Sequence, residues 1–220
     1  MKKYTIFAGV NGAGKTSIYE SIYYTENKEE KRINTDEMVA RIGSWQDTNL
    51  QIKCAREAVK LIKQYISEGI SFNQETTLCG KSIIKNIILA RENGFYIVMN
   101  YVGVDNPEIA KERVRIRVSK GGHGIPDNDI ERRYYNSLNN LKEIIKLCDE
   151  VNIYDNTEMF REIIDFENNK IVWIDNKIPT WATVLLWQIM TLIFIEGKNF
   201  RYKLRINKKL SNMNIVFKYI

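Results

Sequence analysis

Gly9-Val10-Asn11-Gly12-Ala13-Gly14-Lys15-Thr16 lies between the short apolar run 4–8 and a segment with a helical pattern. This stretch fits G-x-x-x-x-G-K-[ST], the phosphate-binding loop that joins a strand to a helix. Its glycines let backbone N–H groups converge on phosphates, and the helix N-terminus adds partial positive charge. Lys15 is expected to reach the β- and γ-phosphates, and Thr16 to ligate Mg²⁺. The sequence therefore predicts an ATP-binding loop with contacts from Gly9, Asn11, Gly12, Ala13, Gly14, Lys15, Thr16 and Ser17.

On either side of this loop, residues 1–182 alternate short β-type runs with longer helical patterns. This order is typical of an α/β protein with a mainly parallel sheet. Strands are predicted at 4–8, 32–34, 70–74, 95–102 and 151–154, followed by a hairpin of 160–166 and 170–174. Helices are predicted at 15–24, 50–68, 81–92, 107–120 and 128–148. The expected fold is a P-loop NTPase or kinase fold, with a central sheet flanked by helices and a helical lid.

Charge divides the chain into two parts. The net charge is +6, and residues 183–220 contain seven Lys or Arg against one Glu, so residues 1–182 are neutral overall. Binding to long nucleic acid usually requires a basic stripe, and the neutral part argues against it. We therefore expect a kinase domain at 1–182 and an apolar, then basic, tail at 183–220. The tail is open to three readings: a docking helix, a membrane-surface segment or an extension never selected to fold with the rest.

Several features predict a cytoplasmic protein with no transmembrane span. The chain opens on Met1-Lys2-Lys3 and a strand pattern, not on a secretion signal. Its three cysteines show no CxxC spacing, which suits a reducing compartment. The apolar run 184–195 has twelve residues, fewer than the roughly twenty that span a bilayer.

Several segments, taken in order, resemble the zeta-toxin family. They are the loop 9–16, Ile33-Asn34-Thr35-Asp36-Glu37, Gln74-Glu75-Thr76-Thr77-Leu78, the stretch 113–138 with Gly121-Gly122-His123-Gly124-Ile125-Pro126, and 148–157. The resemblance extends over about residues 1–181. It implies an ATP-dependent kinase that phosphorylates a hydroxyl of a UDP-activated amino sugar such as UDP-N-acetylglucosamine. It also implies a toxin that blocks cell-wall synthesis and is restrained by an antitoxin.

Two carboxylates follow predicted strands, at the sheet edge where ligands bind in such folds. Asp36 can take the proton of the attacking hydroxyl and orient it toward the γ-phosphate. Its alternative role is to cap the helix that follows. Glu75, together with Thr76, can bind substrate hydroxyl or phosphate groups, or can simply end a strand in solvent.

Four arginines suggest a lid. Arg113 and Arg117 share a helix face, and Arg132 and Arg133 begin the next helix beyond a glycine-rich break. Such a hairpin can bring guanidinium groups over the transferring phosphoryl group. Arg117 and Arg132 are the first choices for catalysis, and Arg113 and Arg133 for substrate binding. The alternative is an ordinary solvated helix face.

Two further polar residues complete the predicted site. His123, the single histidine, lies between glycines and can contact substrate or stand in a solvated turn. Asn156 is expected to border the nucleotide, as the family resemblance suggests, or to cap a turn. No acidic Mg²⁺ ligand beside Thr16 can be assigned. The alternatives to a sugar kinase are a kinase of another small molecule or of a polynucleotide end, and an ATP-binding interaction module.

Overall fold

A seven-stranded sheet organises the protein, for which the computed structural model describes residues 1–24, 27 and 30–195. The strand order is β2-β3-β1-β4-β5-β6-β7. The first five strands run parallel, and β6 and β7 form an antiparallel hairpin at one edge. The strands are β1 (Lys3–Ala8), β2 (Lys31–Ile33), β3 (Phe72–Thr76), β4 (Tyr96–Gly103), β5 (Glu150–Asp155), β6 (Arg161–Glu167) and β7 (Lys170–Ile174). The predicted α/β fold with a mainly parallel sheet is confirmed.

Helices connect the parallel strands. They are α1 (Lys15–Ile18), continued by a π-helical turn (Tyr19–Tyr23), then α2 (Thr35–Ile42), α3 (Thr48–Glu68), α4 (Lys81–Glu92), α5 (Pro107–Ser119), α6 (Asp127–Ile145) and α7 (Thr180–Ile195). Side-chain caps define several of their starts. Asn106 accepts a hydrogen bond from the backbone N–H of Ile109, and Pro107 occupies the first helical position.

Apolar side chains cover both faces of the sheet. Ile6 belongs to a large cluster with α3, α4, α6 and α7, whereas the next residue, Phe7, belongs to a second cluster with α1 and α5. Successive strand residues point to opposite faces, so β1 is buried on both sides. All five parallel strands therefore direct their carboxyl ends to the same edge, where the phosphate-binding loop begins.

Helix α7 extends across the boundary expected between residues 182 and 183. Trp181 and Leu185 are buried in the large cluster. The Trp181 ring packs on Gly103 so closely that a Cβ there would lie 2.3 Å from a ring carbon. Its indole N–H donates a 3.0 Å hydrogen bond to Asp155. The described side chains of α7 therefore include part of the core, and residues 196–220 lie outside the described part of the chain.

Length and apolarity together would allow a helix to cross a bilayer. Across the described residues, no helix meets both requirements.

Candidate functional site

The loop 9–16 adopts a conformation that requires glycine. Gly9 has φ +138°, and a Cβ at this position would lie 2.2 Å from the carbonyl oxygen of Val102. Gly12 has φ +82°, and a Cβ there would lie 2.6 Å from the carbonyl oxygen of Ala110. Any side chain at either position would be strained and would overlap neighbouring backbone. The loop therefore curls tightly at the end of β1, as phosphate binding requires.

Lys15 lies inside this curl. It is 7% exposed, and its Nζ donates a 3.1 Å hydrogen bond to the carbonyl of Val10. Burial lowers the pKa of Lys15, while the nearby carboxylates of Glu75 and Asp36 oppose that change. The residue thus brings a point charge to the cleft that the loop borders.

Thr16 and Glu75 form the part of the site best suited to a metal ion. The Thr16 hydroxyl lies 3.2 Å from each carboxylate oxygen of Glu75. Arg32 and Asn34 donate to the same carboxylate at 2.9 and 3.1 Å. Hydroxyl and carboxylate oxygens suit Mg²⁺, which usually takes one or two protein ligands and completes its shell with water and substrate phosphates. The Glu75 carboxylate therefore contacts the hydroxyl group at which the sequence predicts Mg²⁺.

Among the described residues, this pair does not belong to a larger cluster of metal-binding side chains. The described residues contain no group of three His, Cys, Asp or Glu side chains that could hold an ion. A magnesium ion at Thr16 and Glu75 would accordingly depend on nucleotide phosphates for its remaining ligands.

Asp36 occupies the second position of α2, and Asn34 caps that helix. The side-chain oxygen of Asn34 accepts hydrogen bonds from the backbone N–H groups of Asp36 and Glu37 at 2.9 and 3.4 Å. The Asp36 carboxylate is therefore not needed as a cap, and it lines the cleft that Lys15 also lines. The helix cap that Asp36 could have supplied is supplied by Asn34.

Positive neighbours determine the ionisation of Asp36. Burial raises its pKa, but the hydrogen bond and charge of His123, with the charges of Lys15 and Arg117, outweigh burial and leave the pKa below its usual value. Asp36 is thus ionised at neutral pH, as a proton acceptor must be.

The cleft holds about 540 Å³ between the loop 9–16, α2 and the α5–α6 hairpin. Arg113 and Arg117 line it from α5, and Ser17 lines it from α1. Arg113 donates to the carbonyl of Thr157 at 3.0 Å, and its other terminal nitrogen, Nη1, is buried without a hydrogen-bond partner. Burial lowers the pKa of Arg117, although Asp36 and Glu75 oppose this. The α5 face carrying both arginines therefore faces the site.

The two arginines on α6 point in different directions. Arg132 is 61% exposed and pairs with Asp129 at 2.7 Å, and it is not among the residues that line the cleft. Arg133 instead donates a 3.0 Å hydrogen bond to Asn11 of the phosphate loop. Adjacent helix residues differ by about 100° in direction, so only one of the pair can face the loop. In this structure that residue is Arg133, and the expected contact between Arg132 and the phosphates stays a prediction.

Asn156 and Thr76 have different surroundings. Asn156 follows β5 and donates a 2.8 Å hydrogen bond to the carbonyl of Ala13, so it contacts the phosphate loop directly. Thr76 accepts a hydrogen bond from the backbone N–H of Leu78 at 3.1 Å and is not among the residues that line the cleft. Thr76 therefore supports a turn beside the site.

His123 bridges the mouth of the cleft. Its Nε2 lies 3.3 Å from the Asp36 carboxylate and 3.2 Å from a guanidinium nitrogen of Arg117. Its ring stacks on Trp45, in the α2–α3 loop, with centroids 4.0 Å apart and planes 16° apart. Sequence reasoning missed Trp45, because nothing in a Gly-Ser-Trp-Gln loop indicates its partner. Arg32 was also missed, because nothing in the sequence around it indicates its partner, Glu75. The pairing of Arg32 with Glu75 stabilises the site.

Comparison with known proteins identifies the family. A family model described as zeta toxin matches residues 1–170. An uncharacterized protein of Haemophilus influenzae is 33% identical over 132 residues, which make up 60% of this chain and 92% of that protein.

Solved structures share the fold. The AvrRxo1-ORF1:-ORF2 complex with ATP has a TM-score of 0.66 at 14% sequence identity. The matched region covers 86% of this chain and 63% of that chain. This chain thus spans less than two thirds of that relative. The PezAT chromosomal toxin–antitoxin system of Streptococcus pneumoniae has a TM-score of 0.55 at 13% identity, covering 90% and 88%.

The family match covers the same residues that the structure brings together in the cleft. The family match includes the phosphate loop, Asp36, Glu75 and the arginines of the α5–α6 hairpin. These residues meet at the carboxyl edge of the parallel sheet. The chain therefore belongs to the zeta toxin family.

Proposed function

We propose that the protein is a kinase that transfers the γ-phosphate of ATP to a hydroxyl group of a UDP-activated amino sugar. In this proposal it is the toxin of a toxin–antitoxin pair and acts in the cytoplasm, where ATP is supplied. The observation that carries the proposal is that Lys15 of the phosphate loop and the ionised Asp36 line one cleft. A phosphate-binding group and a proton acceptor are thereby held on facing elements.

The nucleotide half of the site is built from the loop and its neighbours. Loop N–H groups and Lys15 bind the phosphates. Thr16 and Glu75 would hold Mg²⁺, which when bound neutralises charge on the β- and γ-phosphates. The unpartnered Nη1 of Arg113 is a buried donor that a nucleotide oxygen can satisfy.

The acceptor half is built around Asp36. Its carboxylate takes the proton as the acceptor oxygen bonds to the γ-phosphorus and the bond to the bridging oxygen of ADP breaks. Arg117 faces the same space and can neutralise charge on the equatorial oxygens. Arg133, through Asn11, holds the phosphate loop to α6. Together these residues would orient the two substrates, neutralise charge on the phosphoryl group and accept one proton. Phosphoryl transfer requires little more from the protein.

The choice of acceptor rests on family membership. The zeta toxin match over residues 1–170 supports a UDP-amino sugar, and the toxin–antitoxin relative PezAT supports an antitoxin partner. A polynucleotide end is the second candidate, because an RNA repair complex shares the fold at a TM-score of 0.52. The neutral charge of residues 1–182 favours the nucleotide sugar.

The test is ADP release from MgATP with and without UDP-N-acetylglucosamine, with mass spectrometry of the sugar product. We expect acceptor-dependent ADP release and a phosphorylated sugar. Lys15→Ala is the inactive control. Phosphorylation of an RNA 5′ end but not of the sugar would replace the proposed substrate. ATP binding without transfer to either acceptor would point to an ATP-binding interaction module.

A further inference from the structure

His123 lies between two side chains with opposite requirements. The guanidinium group of Arg117 can only donate hydrogen bonds, and the ionised carboxylate of Asp36 can only accept them. Both are within 3.3 Å of the same ring nitrogen, Nε2. If Nε2 carries a proton it can donate to Asp36, and if it is bare it can accept from Arg117. One imidazole nitrogen therefore serves one neighbour at a time.

The position of the ring is fixed independently of that choice. Trp45 stacks on one face of the imidazole, and the side chain of His123 is only 12% exposed. The backbone carbonyl of His123 accepts a 3.1 Å hydrogen bond from Nε of Arg117, which ties the α5–α6 loop to α5. Ring and backbone are thus held from three sides, by α2, the α2–α3 loop and α5.

We propose that His123 is a positioning residue that orients the Asp36 carboxylate through its Nε2–H group, with Trp45 holding the imidazole plane. It acts on catalysis through Asp36, not through contact with the acceptor. The inference rests on the proposed function in one respect, that Asp36 is the base.

The arrangement couples the base to the lid arginine. When Nε2–H donates to Asp36, that ring nitrogen offers no acceptor to Arg117, and the terminal guanidinium nitrogen that faces it is available to the phosphoryl oxygens. When Nε2 is bare, Arg117 is held by the ring and Asp36 loses its donor. The charged groups that line the cleft around this cluster are Asp36 and Glu37 on α2, Arg113 and Arg117 on α5, Lys15 on the phosphate loop and Glu75 on β3. The first state assembles the site for transfer.

Carboxyl titration by ¹³C NMR tests the contact without any enzymatic activity. The Asp36 signal is identified by its loss in Asp36→Asn. In His123→Leu, which keeps the bulk but removes the donor, the pKa of Asp36 should rise. In His123→Gln, whose amide keeps an N–H donor, the rise should be smaller. An Asp36 pKa unchanged in His123→Leu overturns the proposal, whatever the acceptor of the kinase turns out to be.

Kinetics then separate positioning from substrate binding. His123→Leu should lower kcat about 10- to 100-fold, a part of the ~10²- to 10⁴-fold that a general base supplies. The KM for ATP should stay within about two-fold, and His123→Gln should recover most of the rate. Trp45→Ala should lower kcat, and Trp45→Phe should largely preserve it. Lys120→Ala, an exposed change in the adjoining turn, is the control. A raised acceptor KM with wild-type kcat in His123→Leu would show that His123 binds substrate instead.

Discussion

Asp36→Asn separates the chemistry of residue 36 from its contribution to the fold. The amide has nearly the same shape as the carboxylate but cannot take a proton from the acceptor hydroxyl. The cap of α2 is untouched, because it is supplied by the side chain of Asn34. Asp47→Asn is a matched control, since Asp47 caps α3 on the protein surface and Asn caps as well as Asp.

The expected loss of rate is large and the expected loss of stability is small. Removing a general base should lower kcat about 10²- to 10⁴-fold, equal to about 3–5 kcal/mol in the barrier. A first-turn carboxylate stabilises its helix by about 0.3–1 kcal/mol through the helix dipole, and the 40% exposure of Asp36 favours the lower end. The two effects differ enough to be measured separately.

Rapid-quench measurement of acceptor phosphorylation gives the rate, and urea unfolding gives the stability. Because the folded-state pKa of Asp36 is lowered, its contribution to stability is present above the unfolded-state pKa of about 3.9. This contribution is lost as the pH falls through the folded-state value. The wild type and Asp36→Asn should therefore converge in stability under acid conditions. Wild-type kcat in Asp36→Asn would refute the reasoning, and the base would have to be sought elsewhere in the cleft.

Three further predictions follow from the described contacts. Lys15→Ala should abolish transfer while urea unfolding shows an intact fold, because a buried charge is removed from the phosphate site; undiminished ADP release would exclude the kinase reading. Arg133→Ala should lower kcat/KM for ATP more than Arg132→Ala, because only Arg133 reaches the loop; steady-state kinetics showing the reverse would restore Arg132 to the lid. Leu185→Ala should lower the free energy of unfolding by about 2–5 kcal/mol, since Leu185 is buried; an unchanged urea midpoint would place α7 outside the domain.

The fold was largely predictable because its signals are local. Short apolar runs, some of them beside a glycine, predicted the strands, and their alternation with helical patterns predicted a mainly parallel sheet. The structure adds α2, eight residues long and marked in the sequence only by capping residues. It also adds α7, whose composition suggested a tail. Its place in the core depends on Trp181 fitting against Gly103, a contact between distant positions that no local pattern encodes.

Some residues that line the cleft could be chosen from the sequence, but the directions of their side chains could not. Residue type and position beside the glycine loop or at strand ends led to Lys15, Thr16, Asp36 and Glu75. The choice between Arg132 and Arg133 could not be made, because it depends on the rotation of α6 about its axis. Trp45 could not be predicted for a similar reason. Its stacking partner, His123, lies 78 positions away, and no sequence pattern relates the two residues.

The packing of Trp181 has a consequence for how far the nucleotide site extends along the chain. Its ring lies on Gly103, whose carbonyl accepts a 2.9 Å hydrogen bond from the backbone N–H of Asn156, and Asn156 in turn donates to Ala13. Three contacts thus connect a helix beyond the family-matched residues 1–170 to the phosphate loop. A substitution at Trp181 is therefore expected to disturb the backbone of the phosphate loop, although Trp181 itself lies outside the family-matched residues.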